Sequence, residues 1–504
     1  MIGFLTLVVI NYPQFIRIFS SVGAYSMVRT QDGGFAITGG PFMTSISDII
    51  IACFDPNGGY LWAERVGGPE PDCFDVGFSI VQTTDKGFAI SGITDCMGPT
   101  RYNLILARFD SLGNHLWTKV VGDNSILNTN TVVQTTDKGF VVVNHTNLGA
   151  GGGDILVLRF DSLGNLLWSK TLGGTGGDYN GSVTLTTDGG ILIVGTTASF
   201  GAGGSDILLV KLDSLGDLVW VRTFGDTGEE AGKTIVPTTE GGFAVAGSTT
   251  SFGAGGSDIL IAKFDSLGNL IWVRTVEGTG DEAGSSIVQN PGNGEFAVAG
   301  NTTSFGASGS DIILVRFDSV GNCLSSWIVD GGGDGDDFAS SIVRTPHGSF
   351  MVAGATWRPD VIPLLLIFLG FDSLGVTCAG IPISMNNSSP GFLVDTLTLI
   401  TTTPVLTIMD TVPRVIPYTP PWDSVLCEGV GTDENSAAPS GSLVLFPAPS
   451  GFWISGYSGP AKIYDPAGRL VLAREIKDKT LISPLSPGVY FVVAGKEKGR
   501  VVIR

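Results

Sequence analysis

Carboxylates beside glycine turns are the residues of this chain that most suggest chemistry. Asp and Glu oxygens are preferred calcium ligands, and six to eight oxygens surround the ion. These acids could therefore hold Ca²⁺; the simpler interpretation is that they cap turns and keep the protein soluble. The candidate ligands are Asp334, Asp336, Asp337, Asp281, Glu282, Glu229 and Glu230.

The three histidines offer little for nucleophilic catalysis. His115, His145 and His347 fall at unlike positions of the repeat described below, so they are not expected to meet on one face. A Ser-His-Asp or Cys-His arrangement needs the nucleophile and its base within hydrogen-bond reach. We therefore expect no catalytic residues of this kind.

Composition excludes further classes. The 504 residues include 28 basic and 47 acidic side chains, a net charge of -19, so clustered phosphate contacts to nucleic acid are not expected. The longest apolar runs, 2–10 and 361–369, are far shorter than the roughly 20 residues of a transmembrane helix. With 43% hydrophobic residues, the chain can bury a sizeable core.

An internal repeat of about 52 residues organises the chain and must position any site. Its anchor is Phe or Leu followed by Asp and a glycine turn, with a Trp seven residues after the Asp in five copies. Seven copies begin at 54, 109, 160, 212, 264, 317 and 371. We interpret the following as structural repeat residues: Asp110, Asp161, Asp213, Asp265, Asp318, Trp62, Trp117, Trp168, Trp220 and Trp272.

Each unit contains four short β-rich runs separated by turns, which is the pattern of a propeller blade. The clearest unit reads GKTIVPTT, GGFAVAGSTT, DILIAKFD and NLIWVRT between 232 and 275. We name the strands A to D. The AB and CD links are tight, whereas the BC and DA loops are longer and must emerge together on the opposite face. The acidic residues fall mainly in the BC and DA loops.

The ends of the repeat region predict how the ring closes. The seventh copy lacks a strand D, and residues 15–19 match the strand D pattern of 272–276. We therefore predict an all-β fold in which residues 13–378 form a seven-bladed β-propeller whose N-terminal strand completes the last blade. Residues 1–12 are either the remnant of a signal peptide or the start of a chain that lacks its upstream leader.

Strand D is predicted to be the exposed outer edge of each blade, protected by charge. The hairpin register places a basic residue of strand C opposite the Trp of strand D. We expect cross-strand cation–aromatic contacts from these pairs, such as Lys263 with Trp272 and Arg108 with Trp117.

The six cysteines show no metal-ligand spacing, so zinc is not expected. Cys73 and Cys96 lie in the DA and BC loops of one repeat, on the same face, and could form a disulfide. Cys378 and Cys427 flank the segment after the ring and could fasten it.

Composition changes after the ring. Residues 379–438 are rich in Thr and Pro, which predicts a linker or a strap. Residues 440–504 carry 9 basic and 4 acidic side chains, which marks a separate module of short strands. We predict a small β-sandwich over residues 439–504.

The terminal module resembles the type A sorting domain of the bacterial type IX secretion system, also called the Por secretion system. The similar motifs are Tyr464-Asp465, Gly468-Arg469 and Gly488-Val489-Tyr490. The blades likewise resemble those of secreted bacterial propellers that share the DGGF turn. The resemblance implies export by the type IX machinery and a place outside the outer membrane, at the cell surface or released.

Near-identical loops favour a binding function over catalysis, because an enzyme site usually depends on special residues in one blade. We expect a non-catalytic propeller that binds an extracellular protein or glycan through its BC and DA loop face. The alternatives are an extracellular polysaccharide lyase or hydrolase with carboxylates at the channel mouth, and a structural surface-layer component.

Overall fold

The computed structural model describes residues 23–357, apart from 41–47, 57–58, 69–72, 99–101, 123–125, 150, 307–308, 330–334 and 346–347; beyond that range it describes strands alone. All regular elements of these residues are β-strands. The chain forms two compact units, Met1–Gly429 and Val430–Arg504.

The first unit is a β-propeller with four-stranded antiparallel blades. Strands A to D of the first three blades are β2 (Gly23–Arg29), β3 (Phe35–Gly40), β4 (Ile49–Phe54) and β5 (Tyr60–Gly67); β6 (Asp75–Gln82), β7 (Phe88–Thr94), β8 (Asn103–Phe109) and β9 (His115–Gly122); and β10 (Ile126–Gln134), β11 (Phe140–Thr146), β12 (Asp154–Phe160) and β13 (Leu166–Gly173). The next three are β14 (Asp178–Leu185), β15 (Ile191–Thr197), β16 (Asp206–Leu212) and β17 (Leu218–Gly225); β18 (Glu230–Pro237), β19 (Phe243–Thr249), β20 (Asp258–Phe264) and β21 (Leu270–Val276); and β22 (Glu282–Gln289), β23 (Phe296–Thr302), β24 (Asp311–Phe317) and β25 (Cys323–Val329).

A seventh sheet joins the two ends of this region. It contains β26 (Asp336–Arg344), β27 (Phe350–Trp357), β28 (Leu365–Phe371) and β1 (Ile16–Ser20). Strand β1 pairs antiparallel with β28, with Ile18 opposite Ile367. The N-terminal strand therefore occupies the D position of the sheet whose other strands come from the end of the repeat region.

The core lies between blades. Strands B and C are buried on both faces because a neighbouring blade covers each side; β7 and β8, for example, are buried at every residue. A phenylalanine pair recurs where strand B begins and strand C ends, as in Phe88 opposite Phe109 and Phe243 opposite Phe264. The fourth blade replaces the pair with Ile191 and Leu212.

The repeated Asp stabilises the CD turn. Asp265 Oδ1 accepts hydrogen bonds from the backbone N–H groups of Leu267 (2.9 Å) and Asn269 (2.8 Å). Partial burial disfavours the charged form of Asp265, but its bonds from Asn269 and Leu267 outweigh this and lower its pKa. Gly268 in this turn has φ of +79° and lies against the Trp220 indole of the preceding blade, which leaves little room for a side chain. Asp110, Asp161, Asp213 and Asp318 cap their turns in the same way.

The Trp residues join neighbouring blades. Trp62 packs edge-on against Phe88 with ring centroids 5.7 Å apart, and Trp272 packs against Phe296 at the same distance. The predicted cross-strand register is present, with Lys263 opposite Trp272. The cation over the Trp272 ring is not the predicted Lys263 but Arg274, which lies 5.8 Å from the ring centroid. Residues two apart share a strand face, which explains the choice of partner.

Strand D is not the outer edge of six sheets, contrary to the expectation of a charged, exposed edge. A fifth strand from the Thr/Pro-rich segment pairs antiparallel with it. We call these six strands the girdle: β29 (Gly380–Pro382) on β25, β30 (Leu393–Thr396) on β17, β31 (Ile400–Thr402) on β13, β32 (Thr407–Thr411) on β9, β33 (Arg414–Pro417) on β5 and β34 (Trp422–Val425) on β1. The fifth blade is a four-stranded sheet.

The girdle passes around the ring in the reverse of the order in which the blades follow one another along the chain. From β30 to β33 it advances seven residues for each blade. The glycines that end β17, β13, β9 and β5 pair with Leu393, Ile400, Thr407 and Arg414 in turn. Seven extended residues span about 23 Å, so each step combines a short strand with the crossing to the next blade. The spacing is therefore set by ring geometry.

The second unit, Val430–Arg504, contains two antiparallel sheets. One joins β35 (Val444–Ala448), β36 (Gly451–Ser455) and β39 (Thr480–Ile482). The other has the order β38 (Leu470–Ile476), β37 (Gly459–Tyr464), β40 (Gly488–Ala494) and β41 (Glu497–Ile503). Of the sorting-domain motif residues, Tyr464, Gly488 and Tyr490 lie in strands, whereas Asp465, Gly468 and Arg469 are outside the described residues.

Candidate functional site

The predicted acidic residues divide into buried and exposed groups. Glu230, Glu282 and Asp337 are almost fully buried where strand A begins. Glu229 and Asp281, the preceding residues, are exposed on the loop face. Asp336 is partly buried, and Asp334 lies outside the described residues. The sequence placed these acids in or beside the DA loops but did not distinguish the buried carboxylates from the exposed ones.

Three buried acids of strand A lie beside a second carboxylate from strand C of the preceding blade. The clearest example is Asp206 with Glu230, and a Cβ at Gly225 would collide with Asp206 and lie 2.6 Å from Glu230 Oε2. Glycine at this position, where strand D ends, makes room for both groups. Asp154 and Asp178 meet in the same way at Gly173, and Asp48 and Asp75 at Gly67.

Hydrogen bonds hold these pairs as structural caps. Glu230 accepts one bond from the Asp226 N–H (2.8 Å) and another from the Thr249 hydroxyl (2.7 Å). Asp206 accepts from the Ala202 N–H (3.0 Å). These contacts connect the BC loop, the DA loop and two blades. This supports the interpretation of these acids as loop caps.

Two of the buried carboxyls have a pKa well above that of a free aspartate. Burial, with the nearby charges of Glu282, Glu277 and Asp281, raises the pKa of Asp258 to about 7. Burial likewise raises the pKa of Asp75 to about 6, with Asp48 and Asp95 adding to the effect. Both carboxyls therefore titrate near physiological pH.

The raised pKa predicts that Asp258→Asn stabilises the protein at alkaline pH. The folded protein binds the Asp258 proton more tightly than the unfolded chain, so stability is lost as pH rises from about 4 to 7. Asparagine has no charge to bury, and we expect a gain of about 1 to 2 kcal/mol at pH 8 and little change at pH 4. Thermal unfolding of both proteins across this range measures the difference.

Asp265→Asn is the matched control because the Asp265 pKa is shifted in the opposite direction. Its carboxylate contributes stability above the unfolded pKa, so the variant should gain nothing at pH 8. Equal responses of the two variants would contradict the assignment.

Calcium binding stays a prediction. Among the described residues, three close ligand atoms of His, Cys, Asp or Glu occur together at Cys73, Asp95 and Cys96 alone. The two sulfurs there are bonded to each other, so they are not metal ligands. Asp336 instead accepts a hydrogen bond from the Ser310 N–H (2.9 Å), whereas Asp337 is buried.

The structure joins Cys73 and Cys96 in a disulfide, with Cα atoms 5.4 Å apart. Cys53 and Cys323 are free, and burial raises the pKa of the Cys53 thiol to about 12, so it stays protonated. Cys378 and Cys427 lie outside the described residues.

The histidines occupy separate environments. His115, in β9, hydrogen-bonds through Nε2 to the Thr118 hydroxyl (2.8 Å). His145, in β11, is buried against Tyr179, and burial lowers its pKa. His347 lies outside the described residues.

A central channel of about 320 Å³ is a feature that the sequence did not reveal. Each strand A has a β-bulge, and a serine or threonine shortly after it lines the channel. The seven residues are Ser26, Ser79, Thr131, Ser182, Thr234, Ser286 and Ser341. We call them the hydroxyl ring. The recurring Ser or Thr before a β-branched or apolar pair was the available sequence signal.

The hydroxyl ring also connects the blades, because several of its oxygens accept a backbone N–H from the next strand A. Ring closure uses this contact: Ser341 Oγ accepts from the Met27 N–H (3.2 Å), and its hydroxyl contacts the Met27 carbonyl (3.3 Å). Equivalent bonds run from Ile80 to Ser26, Val132 to Ser79 and Ile342 to Ser286.

Ser341→Ala should therefore lower the free energy of unfolding by about 1 to 2 kcal/mol, because the buried Met27 N–H loses its acceptor. Denaturant unfolding measures the change. Ser266→Ala, in an exposed CD turn, is the control and should have no effect. A Ser341→Ala variant as stable as the control would show that this contact does not stabilise the ring.

No helix in the described residues is long and apolar enough to cross a membrane. No protein-family model and no curated protein matches the chain. Sqt1 from Chaetomium thermophilum is a distantly similar solved structure, with 12% identity and a TM-score of 0.42 over 69% of this chain and 87% of its own. A protein of unknown function from Dyadobacter fermentans has 10% identity and a TM-score of 0.40, covering 71% of this chain and 99% of its own. One from Bacteroides caccae has 10% identity and a TM-score of 0.32, covering 52% and 94%. At these values function must be inferred from the chain's own residues.

Proposed function

We propose that this protein is a secreted or cell-surface, non-catalytic seven-bladed propeller, closed by strand β1, that binds an extracellular protein or glycan through its BC and DA loop face. A β-propeller is a scaffold whose loops are commonly used for binding. The ligand itself is not specified by the fold.

The observation that carries this proposal is the rigid, repeated construction of the loop face. A BC loop N–H donates to a DA loop carbonyl at three successive junctions: Gly152 to Gly176, Gly204 to Gly228 and Gly256 to Gly280. A second bond crosses each junction, such as Glu230 N–H to the Ser205 carbonyl (2.7 Å). Preorganised loops lose little conformational freedom when they bind a partner.

The same face carries exposed side chains suited to recognition. Tyr179 and Phe338 are 48% and 40% exposed near the starts of two A strands. The exposed carboxylates Glu229 and Asp281 lie in the same class of loop. Aromatic rings beside acids could contact a sugar face or a basic protein surface.

A binding array with the full chain tests the loop face. Glycans and extracellular proteins would be probed with calcium and with a chelator, using wild type, Tyr179→Ala and Glu229→Gln. We expect a ligand whose binding weakens at least tenfold in one variant. Leu215→Ala is the control, since Leu215 is exposed in a CD turn on the opposite face. Ligands that bind all four proteins equally would contradict a loop-face site.

We further propose that residues 439–504 form a sorting β-sandwich recognised by the type IX secretion machinery. Support comes from the motif order and from the pairing of β37 with β38, which places Tyr464 opposite Leu470. Expression of the full chain in a bacterium with this system should place it outside the outer membrane. Deletion of 439–504 should retain it inside, and equal export of both would overturn the assignment.

A further inference from the structure

The central channel contains one positive charge that the repeat does not explain. Lys233 lines the channel and its side chain is exposed there. The described lining includes no Asp or Glu, although the chain carries a net charge of -19. An ammonium group among hydroxyls in such an acidic protein makes the channel a local attractor for anions.

The position of Lys233 also breaks the symmetry of the ring. It precedes Thr234 of the hydroxyl ring, and the corresponding positions of the next two sheets are Ser285 and Ser340. In the preceding blade the position is Gly181, where a Cβ would collide with the backbone carbonyl of Gly232. Because two other sheets of the ring hold serine at the position of Lys233, the fold does not require lysine there.

Aromatic side chains occupy the equivalent positions on the other side of the ring. Tyr25 and Phe78, in the first and second blades, pack edge-on with centroids 5.4 Å apart. Both line the channel. Burial raises the pKa of Tyr25 to about 12, so its hydroxyl stays neutral. Lys233 belongs to the fifth blade, so the channel has an aromatic side and a cationic side.

The lining can also donate hydrogen bonds between these two sides. Ser26, Ser79 and Ser286 accept backbone N–H groups through their oxygens, and each hydroxyl keeps a proton to donate. A volume of about 320 Å³ is at the lower end of small-molecule pockets. The channel thus combines one cation, several hydroxyls and an aromatic surface at the scale of a small ligand.

The geometry points to a binding site in the central channel for a hexuronic acid, held by its carboxylate at Lys233 and by its ring at Tyr25 and Phe78. A hexuronic acid offers one carboxylate, several hydroxyls and a C–H face that packs on aromatic rings. This site is separate from the loop face and does not depend on that proposal.

Titration calorimetry with the full chain tests the inference. Glucuronate and galacturonate would be compared with glucose and galactose, which lack the carboxylate, at low and high salt. We expect at least one acid to bind, at least tenfold more tightly than its neutral parent, with weaker binding at high salt. Failure of both acids to bind, or equal affinity for an acid and its parent, would overturn the proposal.

Lys233→Ser identifies the site, because serine occupies the equivalent position in two other sheets and the variant should fold. We expect it to lose at least tenfold in acid affinity while its melting temperature stays close to wild type. Lys138→Ser, which removes an exposed lysine from an AB turn, is the charge-matched control and should bind the acid normally. Unchanged affinity in Lys233→Ser would exclude the channel as the site.

Discussion

Replacing the girdle, residues 380–425, with a Gly/Ser linker of equal length should strongly destabilise the propeller and make it associate. Six D strands would lose the backbone partners that the girdle strands supply. Each lost hydrogen bond costs about 1 kcal/mol net, partly offset by the freed chain entropy, so we expect a loss on the order of 5 kcal/mol or more. The uncovered edges can also pair with other chains.

Thermal unfolding and light scattering measure the two effects. A linker of equal length keeps both units connected, so any change comes from the lost pairing. A narrower variant that replaces β32 alone should show a fraction of the effect, because one sheet loses its fifth strand. A fully replaced protein that stays monomeric and melts like wild type would show that the girdle contributes nothing to the ring.

Removal of the Cys73–Cys96 disulfide should cost about 2 to 4 kcal/mol. The bond closes a loop with a sequence separation of 23 residues, and in the chain-entropy model a loop of this size contributes about 3 kcal/mol. The Cys73→Ser/Cys96→Ser double variant should unfold at lower denaturant concentration than wild type. Both cysteines flank strands of the second blade, β6 and β7.

Treatment with a reductant distinguishes the contribution of the disulfide bond from any effect of the serine substitutions themselves. Wild type treated with dithiothreitol should approach the stability of the double variant, whereas the variant should not respond. Cys53 and Cys323 are free in both proteins and do not contribute to the difference. Reduced wild type with unchanged stability would contradict the expected contribution.

The propeller fold was predictable because each repeat contains local sequence signals of a β-hairpin. The Phe-Asp anchor, the glycine turn and the Trp seven residues later describe one hairpin, and the structure gives each a contact that explains it. Asp265 caps the turn, Gly268 lies against an indole, and Trp272 packs on the next blade. Such signals can be recognised in the sequence because the residues that produce them are close together in the chain.

The girdle and the hydroxyl ring were harder to predict because both depend on the assembled ring. The apolar alternation around 397–408 favours an irregular strand, but girdle strands of three to five residues are too short to be assigned to particular blades from sequence, and their seven-residue step can be interpreted only once the blade spacing is known. A serine such as Ser341 reads as an ordinary strand residue until its partner Met27, 314 positions away, is beside it. Glu230 is buried and Glu229 is exposed, a difference that could not be predicted from the sequence.

The order of the girdle has a mechanical consequence. Its last strand, β34, pairs with β1, so the chain leading to the second unit leaves the propeller from the sheet that also holds the N-terminal strand. Tension applied through the second unit would load β34 first and then β33, β32 and the strands before them. The pull would reach the blades one sheet at a time through this pairing, so the girdle could be released strand by strand while each blade keeps its own four strands paired.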